Sequence, residues 1–287
     1  MKKILALLLA LVLVLALAAC GSPAKTEAPA PAAEAPAAEA PAAEGATLRI
    51  AASPTPHAEI LAVAKDKLAA QGITLEIIEY TDYVQPNLVV DSGELDANYF
   101  QHMPYLESFN AENNTNVVSA GLIHYEPFGI FAGKTAAIAD LPDGAQISIP
   151  NDATNGARAL LLLQQEGILT LKDGVGIEAT VYDIVDNPKN VEIVEMEAAQ
   201  LPLSLEDVDL AVINGNYALD AGLNPATDAL AIEDASGDAA QTFANLVGVK
   251  AGRENDPAIV ALVEALQSQE VADFINATYN GAVVPIF

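Results

Sequence analysis

The sequence is poor in the residues that several kinds of functional site require. Its 287 residues include one cysteine, three histidines and no tryptophan. A single cysteine cannot form an intramolecular disulfide or a cysteine-rich zinc site, and the histidines, at positions 57, 102 and 124, match no metal-ligand spacing. We therefore expect no disulfide framework, no bound metal ion and no cofactor.

Basic residues are also scarce. Twelve Lys and Arg stand against 39 Asp and Glu, which gives a formal net charge of −27 at pH 7. Such a chain has no basic face that could displace counterions from a phosphate backbone, so nucleic-acid binding is not expected. The length and the 52% hydrophobic content instead allow one large domain or two ordinary domains with a sizeable core.

The N-terminus has the pattern of an export signal. Lys2 and Lys3 precede an uninterrupted apolar run of 16 residues, Ile4–Ala19. This run is shorter than the ~20 residues that a transmembrane helix needs. A positive start, a short apolar stretch and small residues at its end are typical of a cleaved signal peptide, so we assign residues 1–19 to one. A signal anchor that stays in the membrane is the alternative.

The only cysteine follows this segment directly. Leu17-Ala18-Ala19-Cys20 resembles the bacterial lipoprotein box, in which the cysteine is acylated and becomes the first residue after cleavage. Lipid chains contribute ~0.8 kcal/mol per buried methylene and anchor a protein without spanning the membrane. We therefore expect a protein that is lipid-anchored at the cell membrane, on its extracytoplasmic side. An incidental or buried cysteine is the alternative.

The next segment has a low-complexity composition. Residues 22–46 comprise 12 Ala, 5 Pro and 4 Glu among 25 residues. Proline interrupts helices and the glutamates repel one another, which favours a semi-extended tether. We predict that residues 20–46 are the lipidated cysteine and a disordered tether, which lets the folded part, 47–287, stand off the membrane.

Strand-like and helix-like patterns alternate along the folded part. This alternation indicates parallel sheets that are covered by helices on both faces. A break near residues 133–143 divides the series into two lobes, which we place at 47–133 with 240–287 and at 134–239. Strands are predicted at 47–53, 74–80, 95–100, 117–123, 128–132, 145–149, near 181, 191–196, 210–213 and 246–250. Helices are predicted at 56–68, with Thr55 as its cap, and at 85–92, 104–113, 155–166, 217–221 and 257–279.

The predicted α/β fold also indicates where a ligand binds. Ligands of such sheets lie at the carboxyl ends of the strands, and between two lobes the natural site is the cleft. Arg158 follows the strand at 145–149 and falls in the predicted first turn of a helix. The macrodipole disfavours a cation there unless the cation shares an anion with the free amides. Arg158 is therefore a candidate carboxylate clamp; a solvated surface arginine is the alternative.

A second candidate group lies in the segment Asn98–Tyr105. Phe100 and His102 share one strand face by the period-2 rule, and Tyr105 follows at the start of the next element. These side chains could form an aromatic slot that favours a thioether through sulfur–ring contacts of ~0.3–1.5 kcal/mol. Ordinary core packing with a hydrogen-bonded histidine is the alternative.

Two asparagines also lie at predicted strand ends. Asn214 follows the strand at 210–213, and Asn245 precedes the strand at 246–250. An amide can donate to a carboxylate or accept from an ammonium group. Both are therefore candidate ligand contacts, with turn formation as the alternative.

Several blocks together resemble the methionine-binding lipoproteins of the NlpA/MetQ family. The resemblance covers nearly all of 47–287. It implies a periplasmic-binding-protein type II-like fold, with two α/β lobes and a ligand cleft, that delivers methionine to the permease and ATPase subunits of an ABC importer. The blocks are Leu17–Cys20, Tyr83–Asn87, Asn98–Tyr105, Pro150–Asp152 with Thr154, Asn155 and Arg158, Leu171–Gly176, Asp186–Asn190 and Ala211–Asn214.

The resemblance also implies roles for individual residues. Arg158 and Asn214 would hold the ligand carboxylate, and Asn245 would meet the polar backbone end of the ligand. Tyr125–Pro127 and Asn214–Asn216 fall where the family varies, so Glu126 is only a candidate ammonium partner. Asn155 is a further candidate of the second rank. The side-chain slot would be lined by Tyr83, Phe100, His102 and Tyr105.

Other functions remain open at this point. Within the same class, the ligand could be D-methionine or a short methionine-containing peptide. From other classes, the chain could be a surface adhesin, or an extracytoplasmic enzyme that uses His102 and a carboxylate as acid and base. The sequence offers no nucleophile beside a base, no glycine-rich phosphate loop and no metal set, so we expect a binding protein rather than an enzyme.

Overall fold

A computed structural model describes residues 45–233 and 239–287 of the chain. The predicted signal peptide, Cys20 and all but the last two residues of the predicted tether lie outside the described residues. The strands are β1 Thr47–Ala52, β2 Thr74–Glu79, β3 Ala97–His102, β4 Val117–Tyr125, β5 Gly129–Ala132, β6 Gln146–Pro150, β7 Thr170–Leu171, β8 Ile184–Asp186, β9 Glu192–Met196, β10 Leu210–Ile213, β11 Ala231–Ile232, β12 Asn245–Lys250 and β13 Val284–Pro285. The helices are α1 Glu59–Ala69, α2 Gln85–Ser92, α3 Met103–Asn113, α4 Ala153–Gln165, α5 Leu201–Ser204, α6 Gly215–Asp220, α7 Pro225–Asp228, α8 Ala239–Thr242, α9 Pro257–Leu266 and α10 Gln269–Tyr279.

The strands form two main sheets and one small ribbon. The first sheet has the order β13-β4-β12-β3-β1-β2, and the second has the order β11-β5-β10-β6-β9. Strands β7 and β8 pair only with each other. The predicted α/β class is therefore confirmed, and the predicted alternation of strands and helices produces two sheets within the folded part.

The expectation of parallel sheets is only partly correct, because both main sheets are mixed. Strand β1 is parallel to β2 and β3, but β12 inserts between β3 and β4 and is antiparallel to both. In the second sheet β6 is parallel to β9 and β10, whereas β5 is antiparallel to β10. The mixed pairing arises because the chain leaves the first sheet after Tyr125, enters the second at Gly129 and returns to the first at Asn245.

The chain path affects where the boundary between the two predicted lobes is drawn. Strand β5, which the prediction assigns to the first lobe, hydrogen-bonds within the second sheet through its pairing with β10 and β11. The lobe limits remain a prediction, and a division after Glu126 fits the sheet pairing better than one after residue 133.

Each sheet buries apolar side chains against its own helices. In the first sheet, Ile50 on β1 packs with Leu61 on α1 and Leu262 on α9, all of which are fully buried. In the second, Ile147 on β6 packs with Leu163 on α4. Burying such a side chain contributes ~1.5–3 kcal/mol, so the two cores fix the strand ends that carry the site.

Two predicted elements differ from the structure. The helix expected over 257–279 is two helices, α9 and α10, separated at Gln267 and Ser268. Ser268 has extended backbone (φ −86°, ψ 156°), and its hydroxyl donates to the Ala265 carbonyl at 2.7 Å. The break lets Leu266 and Val271 both reach the same core. Near residue 181, the expected strand is a single helical turn that precedes β8.

No helix within 45–233 or 239–287 is both long enough and apolar enough to cross a membrane. The longest described helix, α4, has 13 residues.

Gly133, directly after β5, offers a test of how closely the backbone packs at the end of this strand. A Cβ at this position would lie 2.3 Å from the Val208 carbonyl oxygen and 2.7 Å from that of Leu205. Because these are backbone atoms, we expect Gly133→Ala to lower the free energy of unfolding by ~3 kcal/mol, measured by chemical denaturation. Gly144→Ala, where only the positive φ of 76° opposes a side chain, should cost ~1 kcal/mol. Equal losses for the two variants would contradict this account.

Candidate functional site

A cavity with an empty volume of about 340 Å³ lies at the carboxyl ends of β3, β6 and β10. All nine residues that the sequence singled out lie in its wall, although their contacts with a ligand stay a prediction. The lining residues are Tyr83, Phe100, Gln101, His102, Tyr105, Glu126, Asn155, Arg158, Asn214, Gly215, Asn216 and Asn245.

One end of the cavity is aromatic. The ring centroids of Tyr83 and Phe100 are 5.8 Å apart, and those of Tyr83 and Tyr105 are 5.6 Å apart. Phe100 and Tyr105 are also neighbours, at 6.0 Å, and both are buried. The Tyr105 hydroxyl donates to the Tyr83 carbonyl at 2.9 Å, which fixes the two rings relative to each other. These rings form a wall suited to an apolar or polarizable group.

His102 stands beside this wall in one tautomer. Its Nε2–H donates to Asn155 Oδ1 at 3.1 Å, and its Nδ1 accepts from the backbone N–H of Tyr105 at 3.2 Å. Burial and the neighbouring Arg158 charge lower the pKa of His102 to about 3. At neutral pH the imidazole is therefore uncharged, and both of its nitrogens are hydrogen-bonded.

Asn155 is the centre of a chain of amide contacts. Asp152 caps α4 by accepting from the Asn155 backbone N–H at 2.9 Å, and its carboxylate also receives Asn155 Nδ2 at 3.0 Å. Asn155 Oδ1 accepts from His102 and also from Asn214 Nδ2, the latter at 3.0 Å. The helix cap thus sets the orientation of two further side chains in the cavity wall.

Arg158 is not at the surface, and it is not in the first turn of its helix. The Asp152 cap starts α4 at Ala153, two residues earlier than predicted, so Arg158 is the sixth helical residue. Its side chain is buried, with 4% of its surface exposed. The alternative of a solvated arginine is therefore wrong, and the argument from the helix dipole does not apply to it.

The guanidinium of Arg158 already has a carboxylate partner. Its Nε donates to Glu233 Oε1 at 2.9 Å and its Nη2 to Glu233 Oε2 at 2.5 Å, while Nη2 also donates to the Glu126 carbonyl at 2.9 Å. The Tyr125 hydroxyl donates to the same Glu233 carboxylate at 2.5 Å. The guanidinium carbon lies 4.2 Å from the Phe243 ring centroid, a distance typical of a cation–π contact. Sequence reasoning missed Glu233, which is 75 residues from Arg158.

Glu126 is held by two buried histidines. His124 Nε2–H donates to Glu126 Oε1 at 2.7 Å, and His57 Nε2 lies 3.4 Å from the same oxygen. His57 Nε2–H also donates to Asn245 Oδ1 at 3.0 Å, and the Tyr99 hydroxyl donates to His124 Nδ1. The antiparallel pairing of β12 places Asn245 opposite His124, which brings this group together at one end of the first sheet.

Burial governs the protonation of this group. It lowers the pKa of His57 to about 4 and that of His124 to about 3, and it raises the pKa of the Glu126 carboxyl. The three side chains are of types that bind divalent metals. However, the contact of 2.7 Å between His124 and Glu126 is a hydrogen bond, since tetrahedral zinc ligands at ~2.1 Å lie roughly 3.4 Å apart. No sequence spacing indicated this cluster.

Gly215 and Asn216 were likewise not predicted as site residues. A Cβ at Gly215 would lie 2.8 Å from Glu126 Oε2, so only glycine leaves room for that carboxylate. Asn216 is 2% exposed, and its Oδ1 accepts from the Tyr83 hydroxyl at 2.5 Å. Their position after β10, next to Asn214, is the signal that could have identified them.

Comparison with known proteins identifies the family of the chain. The family model described as NlpA lipoprotein matches residues 48–287. The chain belongs to the NlpA lipoprotein family. The resemblance inferred from the sequence is thereby confirmed over nearly all of the folded part.

Individual members of the NlpA family are similar in both sequence and structure. The D-methionine-binding lipoprotein MetQ of Escherichia coli is 42% identical over 224 residues, which cover 77% of this chain and 80% of MetQ. The crystal structure of a lipoprotein from Ruminococcus gnavus is 56% identical with a TM-score of 0.83, covering 84% of this chain and 99% of that one. A nutrient-binding protein from Burkholderia cenocepacia, solved with bound methionine, is 44% identical with a TM-score of 0.78, covering 84% and 100%. These structures confirm the predicted two-lobed fold.

The neutral state of His102 leads to a prediction about stability. Its pKa falls from 6.5 to about 3 on folding, so the unfolded chain takes up this proton first as the pH falls. The free energy of unfolding should therefore decrease between pH 6.5 and about 3. His102→Gln removes this term and should reduce the slope by up to ~1.4 kcal/mol per pH unit in denaturation series. His57→Gln should do the same down to about pH 4. If His102→Gln leaves the pH dependence of the free energy of unfolding unchanged, the pKa of His102 does not fall on folding and this account is wrong.

Proposed function

We propose that the protein is the lipid-anchored substrate-binding component of an ABC importer and that it binds methionine in the cavity described above. The observation that carries this proposal is the composition of the cavity wall. A guanidinium, a carboxylate and an aromatic wall surround one small space, and they complement the carboxylate, the ammonium group and the thioether of methionine.

The proposed pose assigns each part of the ligand to one part of the wall. The ligand carboxylate meets Arg158, the ammonium group meets the polar end near Glu126 and Asn245, and the thioether lies against the aromatic rings. Hydrogen bonds to charged groups contribute ~1.5–3 kcal/mol each, and burial of the side chain contributes ~1.5–3 kcal/mol. A few such contacts suffice for tight binding after the ordering costs are met.

Delivery to a permease requires that the protein with bound ligand differ in conformation from the protein without it. Two hydrogen bonds already cross the cavity, from Tyr83 to Asn216 and from His102 to Asn155, and each joins a residue in or next to the first sheet to one on a helix of the second. A ligand that contacts both sides adds interactions that exist only in the closed form and so shifts the population toward it. We propose that the permease and ATPase subunits of the importer respond to this closed form.

The presence of both Arg158 and Glu126 in the cavity wall favours a free amino acid. In a methionine-containing peptide, the peptide bond would replace one of the two charged groups of methionine with a neutral amide, which forms a weaker hydrogen bond with such a residue. D-Methionine remains a candidate beside L-methionine, since the E. coli relative is named for D-methionine. The enzyme alternative needs His102 beside a carboxylate, whereas its two nitrogens contact Asn155 and the Tyr105 backbone.

Replacing Arg158 tests the binding function. We expect Arg158→Gln in the full-length chain to weaken methionine binding at least ~100-fold in calorimetry, because the ligand carboxylate loses its charged partner. Arg253→Gln is the matched control, since Arg253 pairs with Asp96 and Asp256 and does not line the cavity. The single variant leaves the Glu233 carboxylate without its cationic partner. The double variant Arg158→Gln/Glu233→Gln also removes that charge, and it should likewise fail to bind methionine. Methionine affinity that survives in either Arg158 variant would refute the proposal.

We also propose that Cys20 carries the lipid that anchors the protein. In cells labelled with palmitate, the wild-type protein should incorporate label and lose residues 1–19, because cleavage and acylation both depend on the cysteine. Cys20→Ser should remain unlabelled and keep those residues by mass spectrometry, whereas Ser22→Ala should behave as wild type. Labelled Cys20→Ser would place the lipid elsewhere.

A further inference from the structure

An open groove lies between α3 and α4, next to the cavity. Leu106 on α3 packs into the apolar core around Ala51 of the first sheet, whereas Leu160 on α4 packs into the core of the second. The groove and the cavity share no lining residue. A molecule in the groove therefore contacts both halves of the fold without touching a ligand in the cavity.

The inner surface of the groove is apolar. Pro104 contributes to it from α3, and Ala157 and Leu160 contribute from α4; all three side chains are buried. Ile177, on the helical turn Gly176–Glu178, also lines the groove and is 43% exposed. Removing such a surface from water is favourable, so the groove is suited to an apolar side chain of a partner.

Exposed apolar side chains continue beyond the groove. Tyr182 is 94% exposed and lies two residues after Thr180, which lines the groove. Val185 on β8 is 65% exposed, and among the described strands β8 pairs only with β7. Tyrosine is enriched among the residues that dominate the energetics of protein interfaces. A surface that extends from a groove to an exposed tyrosine is suited to a protein segment rather than to a small molecule.

Carboxylates border this surface on both halves of the fold. Glu107 belongs to α3, Glu178 to the turn next to α4, and Glu195 to β9. All three are exposed, and within 45–233 and 239–287 they form no ion pair and no side-chain hydrogen bond with another residue. The described lining residues include no Lys or Arg. The complementary partner is therefore positively charged.

The charge of the chain itself narrows the choice of occupant. A second copy would bring a further net charge of −27. The segment 22–46 carries four Glu and one Lys, so it is also repelled by the groove. An anionic membrane surface is excluded for the same reason. A basic segment of another protein is the occupant that satisfies both the carboxylates and the apolar surface.

We propose that the groove between α3 and α4 is a docking surface for a protein segment in which basic residues flank an apolar side chain. The apolar side chain lies against Leu160 and Ile177, and the basic residues pair with Glu107 and Glu178, one on each half of the fold. This inference rests on the proposed function, in which the permease of the importer supplies the segment.

Charge reversal tests the docking surface. The Kd between the full-length chain and the detergent-solubilised permease–ATPase complex is measured by biolayer interferometry at saturating methionine. We expect Glu107→Lys/Glu178→Lys to raise this Kd at least ~10-fold, because like charges then face each other across the interface. Higher ionic strength should weaken the wild type more than this variant.

The matched control has the same change in net charge at other sites. Glu206→Lys/Glu264→Lys replaces one carboxylate on each half of the fold; both are exposed, and neither lines the groove or the cavity. We expect its Kd for the complex to stay within ~2-fold of the wild type. Both double variants should bind methionine in calorimetry as the wild type does, which shows that they are folded.

A second arm removes the apolar contacts. Ile177→Ser and Tyr182→Ser should each raise the Kd for the complex ~5-fold, because each loses apolar area that the partner covers. Leu203→Ser is the control, since Leu203 is 73% exposed and does not line the groove. Its Kd should stay within ~2-fold of the wild type.

Two results would overturn the docking surface. One is a Kd that Glu107→Lys/Glu178→Lys leaves within ~2-fold of the wild type, and the other is an equal loss in the Glu206→Lys/Glu264→Lys control, which would reduce the effect to net charge. A wild-type protein that binds no methionine would overturn the proposed ligand instead. A wild-type protein that binds methionine but not the complex would overturn the importer role, and the docking surface with it.

Discussion

The buried guanidinium of Arg158 is the interaction on which the rest of the site depends. A charge removed from water to this extent persists only with a partner, and Glu233 supplies it, held in turn by the Tyr125 hydroxyl. Buried ion pairs add little net stability because desolvation offsets their attraction. The consequence of the pair is therefore geometric: it commits Nε and Nη2 and fixes the position of the guanidinium, which lies against the Phe243 ring.

The other polar groups are oriented in the same indirect way. The Asp152 carboxylate that begins α4 also holds Asn155, and Asn155 in turn fixes His102 and Asn214. A local capping interaction thereby determines which atom of a distant amide faces the cavity. Because burial lowers the pKa of His102 to about 3, this histidine is neutral at pH 7 and adds no positive charge beside the guanidinium. Recognition by such a wall depends on the direction of each donor and acceptor more than on the number of polar residues.

Local pattern in the sequence was sufficient to predict most of the helices and strands, and together with the family resemblance it indicated residues that line the cavity. The helix at 85–92 and the strand at 210–213 were predicted with the bounds that the structure has, because their apolar periodicity and their flanking glycine and asparagine residues are local signals. The motif around Arg158 and the aromatic segment that ends at Tyr105 lie in the wall of one cavity, because strand ends converge at one edge of each sheet.

Only the tertiary structure decided which of those groups face one another. The pairing of Arg158 with Glu233 and the cluster of His57 with Glu126 join residues that lie 75 and 69 positions apart, so no short-range pattern reveals them. The antiparallel return of β12 depends on the whole chain path, and it brings Asn245 beside the histidines. The sequence by itself determined most of the elements, the charge and the family. Long-range packing determined the hydrogen-bond partners, and through them the orientation of the Asn155 and Asn214 side chains.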